Sequence, residues 1–345
     1  MNELDSIKRE MFNEGEKTFL NAFDEQWRGL IDRLYYHQIQ LQIGNRIRPR
    51  LVYWGYSAGC LVKDKAQMEM PVKVAVVMEL IHKASILLDD YIDGDQTRRG
   101  MPAFHYEYGD KKTILFSLNL IGHALQTLND ILNRKDISFE DYRHLLQTLA
   151  STMEDMSLGV LQELDLDEKT QFELDRIKGI IDKETSALLS NSLLFGYYAS
   201  GHHPIDALAH IELIGRKCGY LFQTMNDLEP MCQAEKNIEY KGHLNTDFAS
   251  KRKNIAVAFL YPQLDTIDRE RLIGAQERHD DEQIIKLIKE YDITRQILAQ
   301  MDLVYQDILL MIYQAVCFDI SAEWQNGFTG LISRLYYLCL ERLNN

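Results

Sequence analysis

The sequence predicts an all-α protein, and three observations support this prediction. Only six prolines occur in 345 residues, so long stretches of the chain are free to form helices. Apolar residues recur at steps of three and four through most of the chain, which is the spacing of one helix face. No run of alternating β-branched residues lies between turn signals, so no strands are predicted. We expect a single domain, residues 1–345, of roughly ten to fourteen helices.

The predicted helices follow one another along the chain and are separated by short polar breaks. Residues 72–93 are apolar on nearly every side, so they should form a buried helix that Gly94 ends. Amphipathic helices are then expected over residues 116–133, 142–166, 175–201 and 211–231. The same pattern continues in residues 282–316 and 327–343. None of the breaks is a long Gly/Ser/Pro linker, so the chain shows no domain boundary.

Composition and charge restrict the classes of partner. Lys and Arg number 38 against 52 Asp and Glu, which gives a formal net charge of −14. This balance argues against nucleic acid or an anionic membrane surface as the main partner. It is compatible with a small polyanionic substrate, because a metal ion or a local basic cluster can invert the field in one cleft.

The rest of the composition is typical of a soluble cytoplasmic protein. The five cysteines are scattered and never stand in a CxxC spacing, so reduced thiols are expected. Residues 1–17 are charged throughout and lack the apolar centre of a signal peptide. The longest uncharged stretch, residues 185–203, is interrupted by Ser, Asn and Gly and reads as a buried helix. No membrane span is predicted.

Three aspartates stand together at the end of the apolar segment 72–93. Asp89 and Asp93 are four residues apart and share a helix face, while Asp90 lies about 100° round. Clustered carboxylates at a helix C-terminus repel one another and oppose the helix dipole. Mg²⁺ is the natural compensating ion, since it prefers oxygen ligands and joins one or two carboxylates to substrate phosphates.

Three further side chains beside these aspartates suit an anionic substrate. Arg98 and Arg99 follow closely, and guanidinium groups match the geometry of phosphate oxygens. His82 stands seven residues before Asp89, about 10 Å along the same helix. It is either a buried core histidine or a second substrate-facing group.

Five motifs in order resemble those of the trans-polyprenyl (isoprenyl) diphosphate synthases. The segment ELIHKASILLDDYIDGDQTRRGMPAFH, residues 79–105, is similar to the family's first aspartate-rich region, DDxxD followed by RRGxPxxH. The other four are GNRIRPRLVYWGYSAG (44–59), QELDLDE (162–168), GYLFQTMND (219–227) and DFASKRKN (247–254), which resemble GKRxRPxL, QxxDLxxE, GxxFQxxDD and DLxxGKxT.

The resemblance implies a class I isoprenoid synthase fold, a bundle of antiparallel helices around a deep apolar cavity. Two aspartate-rich regions would face each other at the mouth of that cavity. Three Mg²⁺ would hold an allylic prenyl diphosphate and draw off its pyrophosphate. The double bond of isopentenyl diphosphate would attack the resulting allylic cation, and loss of a proton would complete the extension. The resemblance also implies a homodimer.

The resemblance assigns a role to each matching residue. The predicted Mg²⁺ ligands are Asp89, Asp90, Asp93, Asn226 and Asp227. The predicted diphosphate-binding residues are Arg98 for the allylic substrate, Arg48, His82 and Arg99 for isopentenyl diphosphate, and Arg252, which stands where the family has a lysine. Gln162, Asp165 and Gln223 are predicted to line the reacting region, and Phe222 is predicted to contact the second substrate. The predicted catalytic residues are Asp89, Asp90, Asp93, Gln223 and Asp227.

Departures from the family pattern lie around the diphosphate sites. In the second aspartate-rich region, Asn226 replaces the first aspartate and Pro230 the last, which weakens the third metal site. Asn45 replaces a lysine of the isopentenyl diphosphate site. Glu184 stands where a phosphate-binding lysine is expected, and Lys183 beside it lies on a different helix face.

These departures leave several functions open. The leading hypothesis is elongation of an allylic diphosphate by isopentenyl diphosphate. The alternatives are a class I terpene cyclase on the same fold, an enzyme that prenylates a peptide, and a non-catalytic subunit of a heteromeric synthase. The intact first aspartate-rich region argues against the non-catalytic subunit.

Two small residues bear on product length. Ala84 and Ser85 stand five and four residues before Asp89, where bulky aromatics in the family would close the cavity. Small side chains there favour a product of C20 or longer, unless Met78 or Ile81 closes the cavity instead.

Overall fold

The computed structural model describes residues 14–36, 39–42, 44–60, 66–134, 137–232 and 253–344. The α-helices of this part of the chain are α1 Glu14–Ile31, α2 Ile39–Gln42, α3 Ile47–Gly59, α4 Glu69–Asp93, α5 Phe104–Tyr108, α6 Asp110–Leu132, α7 Phe139–Leu164, α8 Leu174–Ile181, α9 Ala187–Ala199, α10 Ile205–Cys232, α11 Ile255–Leu260, α12 Thr266–Glu277, α13 Asp281–Glu290, α14 Ile293–Gln314 and α15 Ala322–Asn344. Short 3₁₀ turns cover Ala66–Met68, Thr170–Phe172, Tyr261–Gln263 and Ala315–Phe318, and a π-helical turn covers Asp182–Ser186. The all-α prediction is confirmed, and eleven of the described helices have ten or more residues.

Helices α4 and α9 form the centre of the bundle. α9 is buried at every position except Tyr198, and α4 buries most of its apolar side chains from Met70 to Leu87. α9 crosses α3 at two glycines, where backbone meets backbone. A Cβ on Gly55 would stand 1.8 Å from the carbonyl oxygen of Leu193, and one on Gly196 would stand 1.9 Å from that of Val52. The closeness of this crossing explains why both positions lack a side chain.

The C-terminus of α4 leads into a small hairpin. Gly94 takes a left-handed conformation, φ 70°, and ends the helix as predicted. The strands β1 Thr97–Arg98 and β2 Met101–Pro102 then pair antiparallel, Arg98 opposite Met101. Arg99 and Gly100 both have positive φ, as a tight two-residue turn requires. The expectation of no strands is wrong at this point, because two-residue strands are too short to show alternation.

Two predicted helical segments are interrupted. Residues 175–201 run as α8, the π-helical turn and α9, so the helix pitch changes at residues 182–186. Residues 282–316 divide into α13 and α14, since Asp292 takes a left-handed conformation, φ 52°. Hydrophobic spacing persists across both interruptions, so the sequence pattern did not locate them.

One segment of the described chain, Ile293–Phe318, is long and apolar enough to cross a membrane by length and composition alone. A single such helix is weak evidence for a span, because core helices of soluble proteins pass the same test.

Candidate active site

A cavity of about 2080 Å³ opens between α3, α4, α7, α10 and α15. Its polar part collects the acidic end of α4 and the basic start of α3. Its apolar part is lined by Ile121, Met153, Met156, Leu188, Leu189 and Leu221. Charged and apolar side chains therefore line the same cavity, as the predicted fold requires.

The first acidic region divides between the cavity and the protein interior. Asp89 and Asp93 line the cavity, because their four-residue spacing puts them on one face of α4. Asp90 is fully buried behind them and accepts a 2.5 Å hydrogen bond from Arg98 Nε. Burial raises the pKa of the Asp90 carboxyl to about 6, against the opposing effect of Arg98. Of the three predicted ligands, the structure brings Asp89 and Asp93 to the cavity.

These two carboxylates fit a Mg²⁺ shared with a bound diphosphate. Among the residues that the structure describes, no group of three or more His, Cys, Asp and Glu side chains could hold a metal ion. Mg²⁺ often takes one or two protein carboxylates and completes its shell with water and phosphate oxygens. Asp89 and Asp93 would supply the two protein carboxylates of such a shell.

A cationic cluster lines the same cavity. Arg48 Nε is buried and has no hydrogen-bond partner among the described residues, and the guanidinium lies 5.7 Å from the centre of the Phe222 ring. Burial lowers the pKa of Arg48 to about 10, with Glu79 opposing and Arg99 adding to this shift. Burial and the neighbouring cations hold the pKa of His82 well below its usual value. We call Arg48 and Arg99, with His82 beside them, the cationic cluster, and its guanidinium groups suit a bound polyanion.

Buried ion pairs hold the backbone that carries Arg48. Arg46 takes a left-handed conformation before α3, and its guanidinium lies 3.0 Å from both Asp24 and Glu79. Lys83 lies 3.6 Å from Glu79, and burial lowers the pKa of Lys83 to about 8. These three elements, α1, α3 and α4, are therefore tied together beside the cationic cluster. Asn45, which stands where the family has a lysine, lines the cavity beside Arg46.

A chain of hydrogen bonds orders the predicted residues of α10. Thr185 Oγ1 donates to Gln223 Oε1 at 2.8 Å, and Gln223 Nε2 donates to Asp227 Oδ1 at 2.7 Å. The backbone N–H of Ile255 donates to Asp227 Oδ2 at 3.1 Å. Asp227 is buried, and these bonds satisfy its carboxylate, whereas Asn226 is exposed at the cavity. The predicted Asp227 ligand is thus tied to the start of α11, and Asn226 is the freer of the two.

Other predicted residues have different positions. Gln162 and Asp165 are not part of the described cavity lining; Asp165 follows the last residue of α7 and is exposed, and Gln162 is partly buried. Glu163, between them, lines the cavity instead. Arg252 lies outside the described residues, as does the side chain of Pro230.

The residues predicted to set product length do line the cavity. Ala84 and Ser85 both form part of its wall, as does Ile81, whereas Met78 is buried in the core. Two small side chains therefore lie in the α4 wall, among larger ones such as Ile81 and Leu88.

Sequence reasoning missed two cavity residues, Glu163 and Lys253. Lys253 Nζ lies 2.7 Å from Glu163 Oε2, and both side chains face the cavity. Lys253 stands one residue after the motif position held by Arg252, so the DFASKRKN segment was the available signal.

Known proteins with similar sequences include isoprenyl and farnesyl diphosphate synthases. The chain is 26% identical over 297 residues to a short chain isoprenyl diphosphate synthase of Methanocaldococcus jannaschii, which covers 81% of this chain and 86% of that protein. It is 32% identical over 193 residues to the farnesyl diphosphate synthase of Escherichia coli, covering 54% of this chain and 61% of that protein.

Solved structures share the fold at lower identity. The crystal structure of geranylgeranyl pyrophosphate synthetase from Pyrococcus horikoshii has a TM-score of 0.75 and 22% identity, covering 97% of this chain and 99% of that chain. A decaprenyl diphosphate synthase from Rhodobacter capsulatus has a TM-score of 0.77 and 19% identity, covering 99% of each chain. The predicted class I isoprenoid synthase fold is confirmed by these likenesses.

The sequence also matches a family model over most of its length. The matching region, residues 30–291, includes most of the cavity's charged residues, and only Asp24, Arg334 and Glu341 among those described lie outside it. With this match, the chain belongs to the polyprenyl synthetase family.

Proposed function

We propose that this protein is a Mg²⁺-dependent prenyltransferase that condenses an allylic prenyl diphosphate with isopentenyl diphosphate. One observation carries the proposal. Two carboxylates, Asp89 and Asp93, share a single cavity with the guanidinium groups of Arg48 and Arg99 and with His82, next to an apolar interior. Its relatives support the same class of activity, since one is a short chain isoprenyl diphosphate synthase.

The allylic diphosphate would bind at the acidic end of α4. Asp89 and Asp93 would hold Mg²⁺, which when bound neutralises diphosphate charge and favours its departure. Arg98, fixed by its bond to Asp90, would contact the same diphosphate from the hairpin. The family resemblance implies three ions, and Asn226 in place of aspartate makes the third the weakest.

Isopentenyl diphosphate would bind at the cationic cluster. Arg48 and Arg99 would pair with its phosphate oxygens, and His82, neutral at pH 7, would complete the site by hydrogen bonding. The carbon–oxygen bond of the allylic substrate would break first, so that pyrophosphate leaves, and the double bond of isopentenyl diphosphate would then attack the allylic cation. A new carbon–carbon bond forms, and one proton leaves the former isopentenyl unit. The apolar wall would keep water from the allylic cation.

The growing chain would extend along the apolar part of the cavity. Ala84 and Ser85 leave the wall near α4 open, which supports a product of C20 or longer.

The predicted homodimer would cover an apolar surface on α6. Leu115, Leu118 and Leu125 are exposed along this helix, and Leu146 is exposed on α7. Large exposed apolar surfaces are typical of protein interfaces. Sedimentation should show a dimer that Leu118→Glu converts to monomer.

A cytoplasmic location stays a prediction.

The test is incubation of the pure protein and Mg²⁺ with C10, C15 and C20 allylic diphosphates, each with and without isopentenyl diphosphate. We expect longer prenyl diphosphates, and released pyrophosphate, only when isopentenyl diphosphate is present. Hydrocarbons or alcohols formed from the allylic substrate alone would replace this proposal with terpene cyclisation. No turnover in any mixture would instead indicate a non-catalytic subunit.

A further inference from the structure

Lys253 enters the cavity wall between two carboxylates. Its Nζ lies 2.7 Å from Glu163 Oε2 and forms a second ion pair with Glu184. All three side chains line the cavity and are largely shielded from solvent. Glu184, the replacement for an expected lysine, is therefore paired with a cation supplied from another part of the chain.

The local structure places Glu184 against α7. Glu184 lies within the π-helical turn Asp182–Ser186, which changes the helix pitch just before α9. The facing residue of α7 is Gly159, and a Cβ there would stand 2.5 Å from Glu184 Cγ. The turn and the missing side chain together let the Glu184 side chain reach the cavity wall.

Hydrogen bonds at three consecutive residues, 253–255, fix the backbone around Lys253. Its own N–H donates to Glu163 Oε1 at 3.1 Å. The next residue, Asn254, caps α11 by accepting from the N–H groups of Ala256 and Val257 at 2.9 and 3.2 Å. Ile255 N–H donates to Asp227, as described above. Lys253 is thus a fixed part of the wall.

The charges of the cluster leave capacity for an anion. A lysine ammonium has three N–H donors, and Glu163 and Glu184 occupy two of them among the described residues. Glu184 Oε1 is buried and has no hydrogen-bond partner in the described part of the protein. Burial raises the pKa of Glu184 to about 8, and although Lys253 opposes the shift, Glu163 adds to it. Below this pKa Glu184 gains a proton, and Glu163 then balances the Lys253 charge alone.

The cluster also faces the acidic site of α4. Asp89 interacts electrostatically with two cations, Arg98 and Lys253. Arg98 approaches from the hairpin after α4, and Lys253 from the start of α11. A diphosphate bound at Asp89 would therefore meet a cation on each side.

We propose that Lys253 is a diphosphate-binding residue, held in place by Glu163 and Glu184, and that this pair supplies the charge missing at position 184. The inference rests on the proposed function for the identity of the ligand, an allylic diphosphate. The Lys253 ammonium donates its third N–H to a diphosphate oxygen. Glu163 positions the ammonium without touching the substrate.

The test is calorimetric titration of inorganic pyrophosphate, with Mg²⁺, into the full-length protein. Lys253→Met should weaken pyrophosphate binding by about tenfold to a hundredfold, the range for a hydrogen bond to a charged group. Lys253→Arg should retain most of the affinity, because it keeps the charge. The matched control is Lys183→Met, since Lys183 is adjacent to Glu184 but lies 3.8 Å from Asp155, outside the cavity lining.

A double variant keeps the test decisive if Lys253→Met folds poorly. Glu184→Lys combined with Lys253→Met restores one ammonium beside Glu163, and it should regain affinity to within about fivefold of wild type. Pyrophosphate binding by Lys253→Met within twofold of wild type, or no binding by the wild type, would overturn the inference. So would a folded double variant that binds no better than Lys253→Met. Because binding is measured without turnover, a wild type that binds pyrophosphate but does not elongate refutes the proposed function alone.

Discussion

Asp90 accepts a 2.5 Å hydrogen bond from Arg98 Nε, and this bond joins the last turn of α4 to the hairpin that follows it. Asp90 is fully buried, whereas the neighbouring Asp89 side chain is about half exposed toward the cavity. Two adjacent aspartates of one motif thus have different physical surroundings. One fixes the hairpin, and the other faces the substrate site.

The two aspartates should therefore respond differently to substitution. Asp90→Ala leaves the Arg98 charge without its buried partner, and it should lower the free energy of unfolding by about 3 kcal/mol. Asp89→Ala should change that free energy by less than about 1 kcal/mol while abolishing turnover. Urea unfolding and a prenyl transfer assay measure the two effects. Near-normal turnover in Asp89→Ala would contradict the assigned role of that carboxylate.

The neutral side chain at position 226 should limit metal binding. Asn226 is exposed at the cavity, so Asn226→Asp adds a carboxylate without disturbing the core. We expect half-maximal turnover at a Mg²⁺ concentration lower by about tenfold, since a carboxylate is a stronger ligand than an amide. Asn226→Ala is the control and should raise the Mg²⁺ requirement. An unchanged Mg²⁺ dependence in both variants would exclude position 226 from the metal site.

The buried Glu184 should make stability depend on pH. Its pKa is raised to about 8 in the folded protein, so the folded state retains a proton that the unfolded state loses above about pH 4.5. Stability from this group is complete at low pH and is lost as pH rises toward 8. Against the effect of burial, Lys253 lowers the pKa of Glu163, and the two glutamates raise that of Lys253, so neither group titrates in this window.

The measurement for Glu184 is urea unfolding of wild type and Glu184→Gln at about pH 5 and about pH 9. The variant should gain stability relative to wild type as pH rises, because glutamine carries no titrating proton. The same difference at both pH values would show that Glu184 has an ordinary pKa.

A bulky side chain in the wall near α4 should shorten the product. Ser85 lines the cavity, and its hydroxyl donates to the carbonyl of His82 in its own helix. Ser85→Phe should shift the products to shorter prenyl diphosphates while total isopentenyl incorporation per allylic start falls. Ser85→Ala should leave the chain-length distribution unchanged. Chromatography of dephosphorylated products distinguishes these outcomes, and an unshifted Ser85→Phe pattern would mean that deeper residues such as Ile121 limit the chain.

Much of this architecture could be predicted from local patterns. The buried helix over residues 72–93 follows from an almost continuous apolar run, and its end at Gly94 follows from glycine's access to positive φ. The shared face of Asp89 and Asp93 follows from helix periodicity alone. Arg99 and His82 were predicted from their positions beside the aspartates and Arg48 from the family resemblance, and the structure brings all three to one cavity.

Other features depend on contacts between distant segments. The pitch of a single π-helical turn decides where Glu184 points, and hydrophobic spacing does not report it. Glu163 was not predicted, because the resemblance pointed to Gln162 and Asp165. These stand one residue before it and two residues after it, so they point in other directions from the helix.

By itself, the sequence determined the helical class, the buried helix α4 and the chemistry of its acidic end, because each depends on residues within a few helical turns. The tertiary structure alone decided that Asp90 turns to Arg98 and that Lys253 pairs with Glu163 and Glu184. The physical reason is that a buried charge is stabilised by whichever opposite charge the packing brings near, and the Lys253 and Glu163 partners are 90 residues apart in the chain.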